Sequence, residues 1–108
     1  MRKKVVYVGL SADILHEGHI NILKFAGRLG KVIVGLLTDE AISTYKKIPI
    51  LKYREREIVL KNIKQVYQVI PQRTHDYTDN LLKIKPDFVV HGDDWREGVQ
   101  KRIRQKVI

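Results

Sequence analysis

Two histidines, His16 and His19, bracket Glu17-Gly18. An imidazole can donate a hydrogen bond, take up a proton or ligate a metal, so a close pair is a candidate for chemistry. A β-branched run, Val5, Val6 and Val8, ends at Gly9 shortly before them. An apolar-periodic segment follows, with Ile20, Leu23, Ala26 and Leu29 in phase and Ile22 beside them, which reads as a helix. The pattern is strand, loop, helix, with the histidines where the loop meets the helix N-terminus. Unpaired N–H groups and the positive dipole end suit phosphate there, and Gly18 would let backbone approach a ligand closely. Three readings stand open: surface or capping histidines, a zinc site, or a phosphate cradle. Zinc needs further ligands, and the chain has no cysteine and no His-Glu-x-x-His helix, only His75 and His91 elsewhere.

The elements that must position this pair can be read in order. Lys3 to Leu10 is nearly continuous in apolar residues, as expected of a strand buried on both faces of a parallel sheet. The first helix is expected over about His19 to Leu29, with Gly30 as its C′ residue. Lys31 to Thr38 is a second strand, completing a β-α-β crossover. Thr38-Asp39-Glu40 caps a short helix through Ala41 and Ile42. Tyr53 to Ile63 is expected as an amphipathic helix with Val59, Leu60 and Ile63 inward and Arg54, Glu57 and Lys61 outward. Val66 to Ile70 is a third strand, closed by Pro71. Asp76 and Asp79 start a helix carrying Leu81 and Leu82, which Pro86 stops. Asp87 to His91 is a fourth strand, and Arg96 to Lys106 reads as an exposed basic helix. Alternating strands and helices predict one α/β domain over residues 1–108, an open parallel sheet with its sites at the strand C-terminal ends. The loops after the first and fourth strands would share that edge.

Composition narrows the partners. Lys and Arg number 21 against 12 Asp and Glu, a formal net charge of +9, which favours anionic ligands such as nucleotides, phosphorylated metabolites, nucleic acid or a lipid surface. Without cysteine there is neither a disulfide nor thiolate chemistry. No apolar run approaches membrane-spanning length and Met1-Arg2-Lys3-Lys4 leads into a strand, so the expected address is the cytoplasm. Few aromatics and no reading motif set nucleic-acid binding by the basic C-terminal helix behind the nucleotide reading.

Three motifs carry a resemblance. Ser11 to His19 resembles the His-x-Gly-His signature of the nucleotidyltransferase superfamily, in its cytidylyltransferase branch. Lys46-Lys47 followed by Tyr53-Arg54-Glu55-Arg56 is similar to the lysine and Tyr-x-x-Arg segment of glycerol-3-phosphate cytidylyltransferase-like enzymes. Gly92-Asp93-Asp94-Trp95 is similar to their Gly-Asp-Asp-Trp motif. The order matches, and the resemblance covers nearly the whole chain. Tyr45-Lys46-Lys47 and Lys61-Asn62-Ile63-Lys64 look most like the cytidylyltransferase domains of phosphonate biosynthesis, often found beside a phosphoenolpyruvate mutase.

The resemblance implies a Rossmann-like fold and transfer of CMP from CTP, with Mg²⁺, to a small phosphonate or phosphate monoester, releasing pyrophosphate. It implies that His16, His19 and Lys46 are catalytic, the histidines stabilising the pentavalent phosphorus and Lys46 neutralising phosphate charge. Gly9, Leu10, Ser11, Gly18, Gly92 and Asp94 would meet the nucleotide, with Asp94 a possible contact to its metal. Asp13, Arg56 and Trp95 would shape the acceptor side, Arg56 by holding the loop or the substrate phosphate. A homodimer is implied as well. Two departures stand out. Where the family loop begins Gly-Thr-Phe-Asp, this chain has Leu10, Ser11, Ala12 and Asp13, so an aromatic is lost beside the site. The family's later Arg-Thr-x-Gly-Ile-Ser-Thr-Thr-type motif, after a fifth strand, has no counterpart before Ile108. The expectation is therefore a C-terminally shortened domain, and a weakly active CTP-binding module is the alternative to an enzyme.

Overall fold

The computed structural model describes residues 4–12, 15–43, 51–74 and 76–91. Within them the chain runs β1 (Val5–Leu10), α1 (Glu17–Leu29), β2 (Lys31–Leu37), α2 (Asp39–Ser43), α3 (Tyr53–Lys61), β3 (Val66–Gln72), α4 (Thr78–Ile84) and β4 (Phe88–His91). The four strands form one sheet in the order β3-β2-β1-β4, and every pairing is parallel. The chain steps outward from β1 to β3, then crosses back to place β4 on the far side of β1. Right-handed crossovers then require α1 and α3 on one face and α4 on the other.

Side-chain alternation along the strands fits that division. Val6, Val8 and Leu10 of β1, with Val32, Val34 and Leu36 of β2, pack under Ile22, Leu23 and Ala26 of α1 and Leu60 of α3. Each fully buried aliphatic there contributes about 1.5–3 kcal/mol of transfer free energy. The opposite face carries Tyr7 and Gly9 of β1 beside Ile33 and Gly35 of β2, register partners in turn. Burial on both faces is why β1 and β2 read as unbroken apolar runs.

The α4 face is built around a phenol. Tyr7 is fully buried; its hydroxyl donates to Gln72 Oε1 at 2.5 Å and accepts from Asn80 Nδ2 at 2.9 Å. The Tyr7 hydroxyl lies where a Cβ on Gly35 would stand, and the Tyr77 ring lies over Gly9, its hydroxyl 2.6 Å from an added Cβ. Two strand glycines thus make room for two tyrosines whose rings tilt together at 5.5 Å.

Several boundaries differ from expectation for identifiable reasons. Helix α1 begins two residues early, because His16 caps it. Gly30 is not a left-handed C′ residue: its φ of 163° is extended backbone. It is glycine because Lys4 O fills the Cβ position. Strand β3 runs through Pro71 rather than stopping there; it is a sheet edge, where a missing N–H is tolerated. Helix α3 is rotated from the expected phase. Val59 is 45% exposed, whereas Arg56 is 1% exposed beside Leu60 at 0%, so a guanidinium occupies the inward position assigned to a valine. Helix α4 starts at Thr78, with Asp76 Oδ1 accepting from the Thr78 amide at 2.8 Å. Its C-cap is Lys85, left-handed at φ 51°, one residue before Pro86. The expected helix over 96–106 lies outside the described residues. No helix among the described residues is long and apolar enough to cross a membrane.

Burial pushes the Tyr7 phenol up to about 12, against a smaller lowering by the Asn80 hydrogen bond. The folded chain therefore holds this proton where the unfolded chain, at pH 10 and above, releases it. The stabilisation is complete below pH 10 and falls as pH rises toward 12, by at most about 1.4 kcal/mol per pH unit. Urea melts of the wild type and Tyr7→Phe from pH 8 to 11.5 are expected to converge as pH rises, to meet at about pH 11 and then to cross. The variant starts about 1 kcal/mol less stable because Gln72 and Asn80 lose a partner. Curves that stay parallel would show that the phenol does not titrate in this way.

Candidate active site

The C-terminal rim of the sheet at β1 and β4 is the topological switch point, where open α/β sheets take their ligands. Gly9 pairs in register with His91, so both strands end at this rim. Beyond β1 the chain passes through Ser11, 4% exposed, and Ala12, 2% exposed. Ala12 has φ 52°, a left-handed conformation costing about 1–2 kcal/mol for a residue with a Cβ. Its methyl joins the core cluster, which offsets that cost. The chain thereby turns sharply where the family pattern has its phenylalanine. Leu10 also faces the core, so only its backbone is left to meet a nucleotide.

The two histidines are brought together at the start of α1. Their rings lie 4.2 Å apart between centroids, tilted by 56°. His16 is the N-cap and is exposed; its Nδ1 accepts from the Gly18 amide at 3.0 Å. His19 is 8% exposed, and its Nδ1 accepts from the His16 amide at 3.2 Å. This is a capping box built from imidazoles, so the capping reading and the cradle reading are joined in one structure. Each Nδ1 is occupied as an acceptor, and each neutral ring therefore carries its proton on Nε2. Free backbone donors are fewer than the sequence suggested: the His16 carbonyl takes the His19 and Ile20 amides at 3.0 and 3.3 Å. An anion here meets imidazole N–H groups and the helix dipole more than bare amides. Gly18 also has a nearer purpose than ligand approach. A Cβ on it would stand 2.7 Å from His16 Cε1, so the missing side chain is what lets the ring fold over the helix start.

Arg56 belongs to the same rim but is turned inward. Its Nη1 donates to Ser11 O and to Leu37 O, both at 2.7 Å. Nη2 meets Asp39 Oδ1 at 2.6 Å, and Nε donates to Leu51 O at 3.0 Å. Of the two roles weighed for it, this geometry is that of holding the loops; all three guanidinium nitrogens are engaged by the protein itself. The start of α2 is fixed beside it, with the Ala41 amide donating to Thr38 Oγ1 at 3.2 Å.

Asp13, Lys46, Gly92, Asp94 and Trp95 lie outside the described residues, as does His75. Tyr77, Tyr7, Gln72 and Asn80, which hold the other face under Gly9, were not singled out from the sequence. The signal available was a glycine inside each of two strand-like runs. As for a metal, no three His, Cys, Asp or Glu side chains cluster among the described residues. The donors that do converge are imidazole nitrogens already committed at Nδ1, whereas Mg²⁺ takes oxygen. The described rim therefore does not fit a protein-held Mg²⁺.

A family model described as cytidylyltransferase-like matches residues 7–107. The chain belongs to the cytidylyltransferase-like family. Among its relatives, FAD synthase of Korarchaeum cryptofilum (strain OPF8) is 36% identical over 103 residues, covering 90% of this chain and 69% of that protein. Glycerol-3-phosphate cytidylyltransferase of Bacillus subtilis (strain 168) is 35% identical over 95 residues, covering 86% and 73%. Ethanolamine-phosphate cytidylyltransferase of Arabidopsis thaliana is 35% identical over 100 residues, covering 86% of this chain but 24% of that protein. The fold is similar to that of the lipopolysaccharide core biosynthesis protein from Thermoplasma volcanium GSS1. Their TM-score is 0.82 at 26% identity, over 98% of this chain and 87% of that one. The open parallel α/β sheet is thus the one the strand and helix order called for, and its likeness to this neighbour agrees with the Rossmann-like fold that the resemblance implied.

Two substitutions separate helix, ring and loop. Gly18→Ala raises intrinsic helix propensity by about 1 kcal/mol yet displaces the His16 ring. Helicity and melting temperature are expected to hold or rise while nucleotide binding, followed by calorimetry, weakens at least tenfold. Unchanged binding would mean that the ring position is immaterial. Arg56→Ala leaves two buried carbonyls and Asp39 without their partner and is expected to cost about 3–5 kcal/mol in a denaturant melt. Normal stability with weaker binding would instead assign Arg56 to the substrate.

Proposed function

We propose that this chain transfers CMP from CTP to a small phosphonate or phosphate monoester, with release of pyrophosphate. Support comes from the paired imidazoles His16 and His19 at the positive end of α1, each with its Nδ1 accepting from a backbone amide. An acceptor oxygen that is already anionic attacks the innermost phosphorus. The bond to the bridging oxygen breaks, and pyrophosphate leaves with the displaced electron pair. No strong general base is needed. The protein must align the reactants and counter the charge that builds on the phosphoryl oxygens, which fixed N–H donors do efficiently. In this reading Mg²⁺ arrives on the triphosphate, and Lys46 adds positive charge on the acceptor side. The wording of Tyr45-Lys46-Lys47 and Lys61 to Lys64 favours a phosphonate acceptor, as in domains that work beside a phosphoenolpyruvate mutase.

The test is a pyrophosphate-release screen with Mg²⁺, crossing CTP, ATP, GTP and UTP with a panel of small phosphonates and phosphate monoesters. ATP belongs in it because FAD synthases are among the relatives. CTP with one or a few small anionic acceptors is expected to turn over. His16→Ala and His19→Ala should each lower kcat by about a hundredfold to a thousandfold while the circular dichroism spectrum stays folded. Full activity in both variants would overturn the proposal, and CTP binding without release would leave a nucleotide-binding module.

A further inference from the structure

The opposite, N-terminal rim of the sheet carries a second concentration of positive charge. A groove of about 500 Å³ opens there between the end of α1 and the turn into β3, and Lys4, Arg28, Lys31 and Lys64 line it. An adjoining hollow shares Arg28 and Lys64 and adds Lys24. Among the described residues, no carboxylate lines either one. The ion pairs of Arg56 with Asp39 and of Lys61 with Glu57 lie elsewhere, and none of these five cations is ion-paired among the described residues. The negative end of the α1 dipole accounts for Arg28 and Lys31. It does not account for Lys4, which precedes β1, or for Lys64, which follows α3. Four separate segments, the lead into β1, α1, β2 and the turn after α3, bring cations with no ion pair among the described residues to one concavity, where they repel one another in the absence of an anion. Gly27 adds room, since a Cβ there would stand 3.3 Å from Gln65 Cγ at the groove wall. At the mouth, Tyr67 is 61% exposed, with the Lys31 ammonium 4.7 Å from its ring centroid.

We propose that this groove is a second anion site that takes a compact polyphosphate, of the diphosphate or triphosphate class. Its volume lies in the range of small-ligand pockets. A concave floor suits a compact ligand better than a bilayer plane, and its cations converge on one hollow instead of tracking along a strand of nucleic acid. The six residues of β1, at about 3.3 Å each, set the two rims roughly 20 Å apart, so one small ligand cannot span both. The site does not depend on the proposed reaction.

The probe is inorganic tripolyphosphate without divalent metal, added to the whole chain carrying both His16→Ala and His19→Ala, so that the other rim is disabled. Amide NMR is expected to show saturable shifts at Gly27, Arg28, Gly30, Lys64 and Gln65, weakening with added salt. Combining Arg28→Glu with Lys64→Glu should lower the affinity at least tenfold, and Lys24→Glu with Lys64→Glu should repeat the loss on an independent background. These side chains are exposed, and thermal melts check that each variant is folded. Shifts confined to residues 9–20, a non-saturating response, or affinity unchanged in both double variants would overturn the site. So would tighter binding, per phosphate, of a single-stranded oligonucleotide or of phosphatidylglycerol vesicles, which would make the groove a macromolecular face instead.

Discussion

One guanidinium holds the C-terminal rim of the sheet in shape. Parallel strands end in carbonyls that the next connection must satisfy or leave bare, and at this rim Arg56 collects those of Ser11 and Leu37 together with Leu51 O and the Asp39 carboxylate. A buried cation is costly unless every donor finds an acceptor. Here four acceptors from three connections meet it. The loop leaving β1, the loop leaving β2 and the lead into α3 are thereby fixed to one point. That arrangement holds the chain in place at Ser11.

The sheet itself is secured differently on its two faces. Under α1 and α3 it is aliphatic and close-packed, so any matching set of branched side chains would serve. Under α4 it is specified by a phenol, two amides and two glycines, in which Tyr7 occupies the space above Gly35 and Tyr77 the space above Gly9. Polar contacts of this kind have one satisfactory arrangement, and they fix the register of β1 against β2 and β3 more tightly than aliphatic packing alone. The rim of β1 thus lies between an oily face that supplies stability and a polar face that supplies alignment.

Much of this was legible in the residues. The order of strands and helices follows from runs such as Val5–Val8 and Val32–Leu37, whose continuous apolarity marks strands covered on both sides. Helix α1 was visible, to within two residues of its start, in the apolar period that begins at Ile20. Other features were hidden because their cause lies in tertiary contact. A periodic reading of α3 places Val59 inward and lets a charged residue point out. Only the carbonyls at the ends of β1 and β2 explain why Arg56 takes the buried position. Gly18 also makes way for the His16 ring, and Gly30, expected as a left-handed C′ residue, is extended and makes way for a backbone carbonyl. The left-handed turn at Ala12 left no trace, since alanine does not advertise that conformation.

The imidazole capping box has a consequence for how this rim comes into being. The same two hydrogen bonds that start α1 also choose which nitrogen of each ring bears the proton. Ring tautomer and first helical turn are therefore one cooperative event. A chain whose opening turn has frayed loses both at once and presents two ordinary histidines, free to rotate.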